Sequence, residues 1–199
     1  MTRIALIHAL SHSVEPINAA FDRDWPQAVR MNLLDDSLSA ELAGGSHGLD
    51  TAMQRRFEVL ADYAVGTGAQ AILFTCSAFG PCIDAVAARH ADLPVLRPNE
   101  AMVAEALRQP GKIGLIATFA PTLKSMPPEF SPDADLVLAL AEGALQAMNA
   151  GDLARHDALI AAQAARLRDE GCTRIALAQF SMARARAVCE QASNLPVLT

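Results

Sequence analysis

Cys76 stands where an apolar run, Ala71-Ile-Leu-Phe74, meets the polar turn Thr75-Cys76-Ser77 and the start of a helical pattern. A thiol in that position has a specific chemistry open to it. Free amides at a helix N-terminus stabilise a thiolate and also bind anions. One turn could therefore take a proton from a substrate and hold its carboxylate. The competing reading is a buried cysteine acting as a small hydrophobe. The polar neighbours and the strand-end position favour the functional one. Cys82, Cys172 and Cys189 fall in helical or pre-strand positions and read as structural. His8 closes the run Arg3-Ile-Ala-Leu-Ile7, and His12 lies in the loop beyond it. A histidine there is a proton donor or a group that polarises Cys76; a satisfied, structural histidine is the equal alternative. His47, His90 and His156 fall in loop or helix-surface patterns and read as solvated.

The segment around Cys76 recurs. Gly68-Ala-Gln-Ala-Ile72-Leu-Phe-Thr-Cys76-Ser-Ala-Phe79 aligns without gaps on Gly171-Cys-Thr-Arg-Ile175-Ala-Leu-Ala-Gln179-Phe-Ser-Met182, about 103 residues later. Arg3–Ile7 echoes Lys112-Ile-Gly-Leu-Ile116, and Leu93-Pro-Val-Leu96 echoes Leu195-Pro-Val-Leu198. One α/β design is thus written twice, with a thiol in one copy and Gln179 in the other. The expected organisation is a first lobe over 1–98 and a second over 99–199, divided near Pro98–Pro110, with a cleft between similar halves. The first copy continues past Leu96 into a helical pattern, whereas the second stops at Thr199, so the second lobe is expected to lack that helix.

Short apolar runs alternate with helical patterns, which implies α/β lobes with mostly parallel four-stranded sheets. Strands are expected at 3–9, 28–33, 71–76 and 94–96, then at 112–118, 135–140, 174–179 and 196–198. Their lack of alternation suggests burial on both faces. Met53, Phe57, Leu60 and Ala64 form a helical stripe over 51–65. Leu153, Leu159, Ala162 and Leu167 form another over 152–170, ended by Gly171. Asn99 is the expected N-cap of a helix reaching Leu107. The stretches 43–48 and 127–132 read as loops.

In open parallel sheets, ligands bind beyond the carboxyl ends of the strands. That rule selects 8–12, 75–80, 117–122 and 179–183. With the first and third strands of each lobe adjacent, His8 and Cys76 should lie close together. The Thr118 amide and hydroxyl could hold a carboxylate, or Thr118 could simply cap the next helix. Ser77 and Ser181 carry the same ambiguity.

Composition narrows the function. The chain is 52% hydrophobic and 19% charged, which suits a packed globular interior. A net charge of −6 argues against a nucleic-acid surface. No apolar run reaches the roughly 18 residues that span a bilayer, and the N-terminal residues do not form a secretory signal. The cysteines show neither zinc-type pairs nor the density of a disulfide scaffold, so no metal is expected and the location is expected to be cytoplasmic. Glycine-rich nucleotide motifs and a Gly-x-Ser-x-Gly elbow are missing.

On Ile72-Leu-Phe-Thr-Cys76-Ser-Ala, Ile113-Gly-Leu-Ile-Ala-Thr118, Gly171–Met182 and the duplicated halves, the chain resembles the aspartate/glutamate/hydantoin racemase superfamily over essentially its whole length. The resemblance implies a cofactor-independent enzyme with a small carboxylate substrate between pseudo-symmetric lobes. Two cysteines, one per lobe, flank the α-carbon in such proteins; one thiolate removes a proton and the opposite thiol returns one. By position, Cys76 matches the first. The second falls on Gln179, which cannot shuttle protons. His8 falls near the acidic residue that accompanies the first cysteine in glutamate racemases, and Ser77, Ala78, Ala117 and Thr118 match positions that grip the carboxylate. Together with Ser11, Gln179 and Ser181 these form the expected pocket.

Three outcomes follow from the glutamine. His8 or water replaces the second acid, preserving racemase or isomerase activity. Alternatively the chemistry is one-sided, as in the single-cysteine arylmalonate decarboxylases, although those keep the thiol on the second lobe. The third outcome is a protein that binds a small carboxylate without turning it over. The family often dimerises, and the apolar composition permits a homodimer.

Overall fold

The uninterrupted run Ile4–Ile7 becomes the middle of a sheet, where both faces are covered. In the computed structural model, which describes residues 1–45 and 48–199, the chain divides into two units, Met1–Pro98 and Asn99–Thr199.

The first unit runs β1 (Arg3–His8), α1 (Val14–Asp24), β2 (Val29–Leu34), α2 (Ser37–Gly44), α3 (Thr51–Gly66), β3 (Ala71–Phe74), α4 (Gly80–Arg89) and β4 (Val95–Leu96). Its sheet is parallel throughout, in the order β2-β1-β3-β4. In the second unit α5 (Glu100–Leu107) precedes β5 (Ile113–Ala117), α6 (Thr122–Ser125), β6 (Leu136–Leu140), α7 (Ala144–Asn149), α8 (Leu153–Asp169), β7 (Arg174–Leu177), α9 (Arg186–Ser193) and β8 (Val197–Leu198). The order β6-β5-β7-β8 repeats the first, again all parallel. Every expected strand forms; β2 is shifted by one residue, to Val29–Leu34, and the others are slightly shorter than expected. Burial on both faces holds for β1, β5 and β7. It fails for the edge strands: Leu34 on β2 and Leu138 on β6 are exposed.

Corresponding registers align the two strand ends. Ile7 pairs with Phe74 and the Thr75 amide donates to the Ile7 carbonyl; Ile116 pairs with Leu177 and the Ala178 amide donates to the Ile116 carbonyl. Both units also close the corner between the long helix and the third strand in the same way. A glycine follows the helix in the left-handed region, Gly68 at φ 89° and Gly171 at φ 85°. A cation from the first strand's start then donates to the last helical carbonyls: Arg3 Nη1 to Thr67 O at 2.6 Å, Lys112 Nζ to Glu170 O at 3.1 Å. The second unit adds a clamp. The buried Arg174 guanidinium donates to the carbonyls of Ala106, Gln109 and Pro110 at 2.5–2.6 Å, holding the chain between α5 and β5.

Two sequence readings require correction. On α8 the buried stripe is His156, Ile160, Ala164 and Leu167, while Leu153 and Ala162 are exposed. The expected stripe lay to one side of it, which is why His156 was read as solvated; it is fully buried, its Nδ1 2.8 Å from Asp157 Oδ1. Asn99 does occupy the N-cap of α5, but its side chain does not cap. It donates instead to the Ala178 carbonyl at 3.1 Å, behind the second unit's strand end.

Candidate active site

In the first unit three aromatic rings set the turn that carries Cys76. Phe57 of α3 stacks on Phe74 at a centroid distance of 5.3 Å and meets Phe79 at 4.9 Å, so the residues on both sides of the turn are gripped by one helix. Between them Cys76 is extended (φ −124°, ψ 117°) and Ser77–Phe79 form a 3₁₀ turn leading into α4. Ser77, Ala78 and Phe79 are buried, whereas Cys76 is half-buried. The Ala78 amide and the Ser39 hydroxyl both favour the thiolate, yet burial outweighs them and pushes the Cys76 thiol up to about 11. The helix-terminal position therefore does not give the lowered pKa that the sequence suggested; desolvation dominates. Burial also raises the thiols of Cys82, to about 11, and Cys189, to about 12.

His8 is fully buried at the end of β1. It borders, with Cys76, Leu38, Phe57 and Phe74, an interstice too small for a water molecule. Its ring nitrogens point elsewhere: Nε2 lies 3.0 Å from Asn32 Oδ1 and Nδ1 2.8 Å from the Thr75 hydroxyl. An amide oxygen can only accept, so Nε2 carries the proton and Nδ1 accepts from Thr75. Burial depresses the pKa of His8, keeping it neutral. The structure thus places His8 beside the Cys76 turn as a strut joining β1, β2 and Thr75, without a bond to the sulfur. Ser11 opens a 3₁₀ turn after β1 and is exposed.

In the second unit the equivalent turn is built from different groups. Gln179 is extended (φ −141°, ψ 140°) and a 3₁₀ segment, Phe180–Ala185, follows. The Thr118 amide donates to Gln179 Oε1 at 2.7 Å, and the Thr118 hydroxyl donates to the same oxygen at 3.0 Å. A backbone N–H cannot face an NH₂ group, so the carboxamide orientation is settled by chemistry. Thr118 therefore caps neither α6, whose N-cap is Pro121, nor leaves its amide free for an anion. Ala117 is buried beside it, and Ser181 is buried with a hydroxyl that has no partner among the described residues.

Sequence reasoning missed Asn32, Thr75 and Ser39 as partners of the first turn. His90 is partly buried and lies 2.9 Å from Asp62. His47 lies outside the described residues. Among the described residues, no cluster of His, Cys, Asp and Glu could hold a metal ion, and no helix is long and apolar enough to cross a membrane.

The family described as Asp/Glu/Hydantoin racemase matches residues 11–199. The chain belongs to the Asp/Glu/hydantoin racemase family. Solved structures of that kind share its fold. A glutamate racemase from Bacillus anthracis is 12% identical, with a TM-score of 0.78 over 98% of this chain and 76% of that one. The aspartate racemase of Picrophilus torridus is 12% identical, with a TM-score of 0.69 over 100% and 88%. The allantoin racemase of Klebsiella pneumoniae is 16% identical, with a TM-score of 0.68 over 99% and 82%. No curated protein matches the chain in sequence.

Proposed function

We propose that this racemase-family protein is an isomerase-like enzyme that removes the α-proton of a small carboxylic acid, an amino acid or a relative of one, with Cys76 as the base and no cofactor. The observation that carries this reading is the half-buried thiol held between two hydrogen-bond donors, the Ala78 amide and the Ser39 hydroxyl, at the carboxyl end of β3. A thiol near 11 is ionised only to about one part in ten thousand at pH 7. That value already includes the help of the two donors, without which burial would leave still less thiolate. The Ser77–Phe79 turn supplies amides for the substrate carboxylate, and Ser11 lies on the turn beyond β1. His8 serves the site by fixing Thr75, not by exchanging protons.

Gln179 supports a particular form of the chemistry. Family membership leads one to expect a second thiol there, but a carboxamide neither gives nor takes a proton near neutral pH. With Oε1 held by Thr118, its Nε2 hydrogens remain as neutral donors. We therefore favour one-sided chemistry: the proton leaves and returns on the Cys76 face, or a labile carboxylate leaves instead, as with a malonate-like diacid. The roles of Ala117 and Ser181 are to shape and line this second turn. The test is deuterium incorporation at the α-carbon of amino acids, hydantoins and malonates in heavy water. Exchange that vanishes in Cys76→Ala, without loss of optical purity in the wild type, is expected. Saturable binding with neither exchange nor decarboxylation would identify a carboxylate-binding protein.

A further inference from the structure

We propose that Ser39 is a positioning residue for the Cys76 sulfur, accepting a hydrogen bond from the thiol and donating one to the thiolate. The proposal rests on Cys76 as the base. Ser39 lies on α2, and its hydroxyl donates to the Ala9 carbonyl after β1; Ala9, Leu38 and Cys76 border one interstice, which brings the hydroxyl beside the sulfur that follows β3. A serine hydroxyl has a single hydrogen. While that hydrogen is on the Ala9 carbonyl, the only way Ser39 can satisfy the sulfur is by accepting the thiol's hydrogen. When Cys76 ionises it has no hydrogen left to give. Rotation of the Ser39 hydroxyl then exchanges its hydrogen bond to the Ala9 carbonyl for one to the sulfur, with no covalent bond broken. The same side chain thus fits both protonation states.

Charged groups around the turn leave this task to Ser39 and the Ala78 amide. Asp35, just before α2, and Glu41, in the middle of it, are both paired with Arg56 of α3. Asp36 is exposed. On α3, Glu58 accepts from Gln54, and on α4 Asp84 is paired with Arg97. From β1 the neutral His8 is held by Asn32 and Thr75. Burial favours the thiol, the amide and the hydroxyl oppose it, and no charged group sets the balance.

The experiment measures the rate at which iodoacetamide alkylates Cys76 as a function of pH, read peptide by peptide so that Cys82, Cys172 and Cys189 are separated. A hydrogen bond to a charged group is strong enough to move a pKa by about one unit, so Ser39→Ala should slow Cys76 alkylation at pH 8 by roughly tenfold. Alanine suits a helix, so α2 should persist. Ser39→Thr restores the hydroxyl and should bring the rate back to within about threefold of the wild type. An unchanged profile in Ser39→Ala, or a slowed one that Ser39→Thr fails to restore, would overturn the proposal. The reading of Cys76 as base is judged separately, by whether α-deuterium exchange survives Cys76→Ala.

Discussion

The turn after β3 and the turn after β7 have the same backbone course and opposite chemistry. Both begin with an extended residue at the strand end and continue into a 3₁₀ segment. In the first, the groups at the two adjacent strand ends are His8 and Thr75, and their hydrogen bond leaves the next residue, Cys76, free to face donors. In the second, the equivalent positions are Ala117 and Ala178, which have no side-chain polar group. The next residues, Thr118 and Gln179, bond to each other instead. The lesson is that duplicated topology preserves where a functional group stands while leaving open whether that group is poised or tied down.

The sharpest way to break this contrast is to remove each group in turn. Cys76→Ala should lower α-deuterium exchange by roughly 10³-fold or more, as loss of a general base does. Gln179→Ala should lower it by about tenfold, as loss of one neutral donor does. Equal losses in the two variants, measured by mass spectrometry in heavy water, would show that the turns are not differently employed. Next in size, Gln179→Cys places a titratable group on the second turn. Racemisation of the substrate that the wild type merely exchanges should then appear, followed by polarimetry. Native racemisation that is already rapid would refute the one-sided reading.

Thr118→Val removes one of the two donors to Gln179 Oε1 and should cost about 1 kcal/mol of stability, with a several-fold loss of exchange. Denaturant titration and the exchange assay together would separate the two effects. The smallest effect concerns His8. Burial holds its folded-state pKa below the ordinary histidine value of 6.5, so the unfolded chain binds the proton first as pH falls. Stability that is intact above pH 6.5 should decline below it, by about 2–4 °C in Tm, and the decline should be weaker in His8→Gln. The Asp35 and Asp157 carboxyls, held below 3.8 by their partners, act only at still lower pH.

How much of this was written in the sequence varies with the range of the interaction. Apolar runs such as Ile113–Ala117 announce central strands because a polar residue there would have no partner, and the internal repeat matches the strands of one sheet to those of the other. The position of Cys76 followed from the same pattern. Its pKa did not, since burial by Leu38, Phe57 and Phe74 depends on packing from separate elements. His156 was misread because alanine-rich α8 offers several near-equivalent faces, and a histidine seldom marks the buried one. The Thr118–Gln179 bond joins residues 61 positions apart, and no local signal reports it. Ser39 is unmarked for the same reason: its partners lie just beyond the ends of two strands, β1 and β3.

The clamp around Arg174 has a consequence for how the second unit meets harsh solvents. Its three partners are peptide carbonyls, which have no proton to gain in acid and no charge to be screened by salt. Strong acid neutralises the carboxylates of pairs such as Arg184–Asp157, but it leaves the hand-over from α5 to β5 chemically untouched. The start of β5 should consequently keep its amide protection at low pH after the surface ion pairs have gone. It would then serve as a last anchor from which the second sheet can re-form.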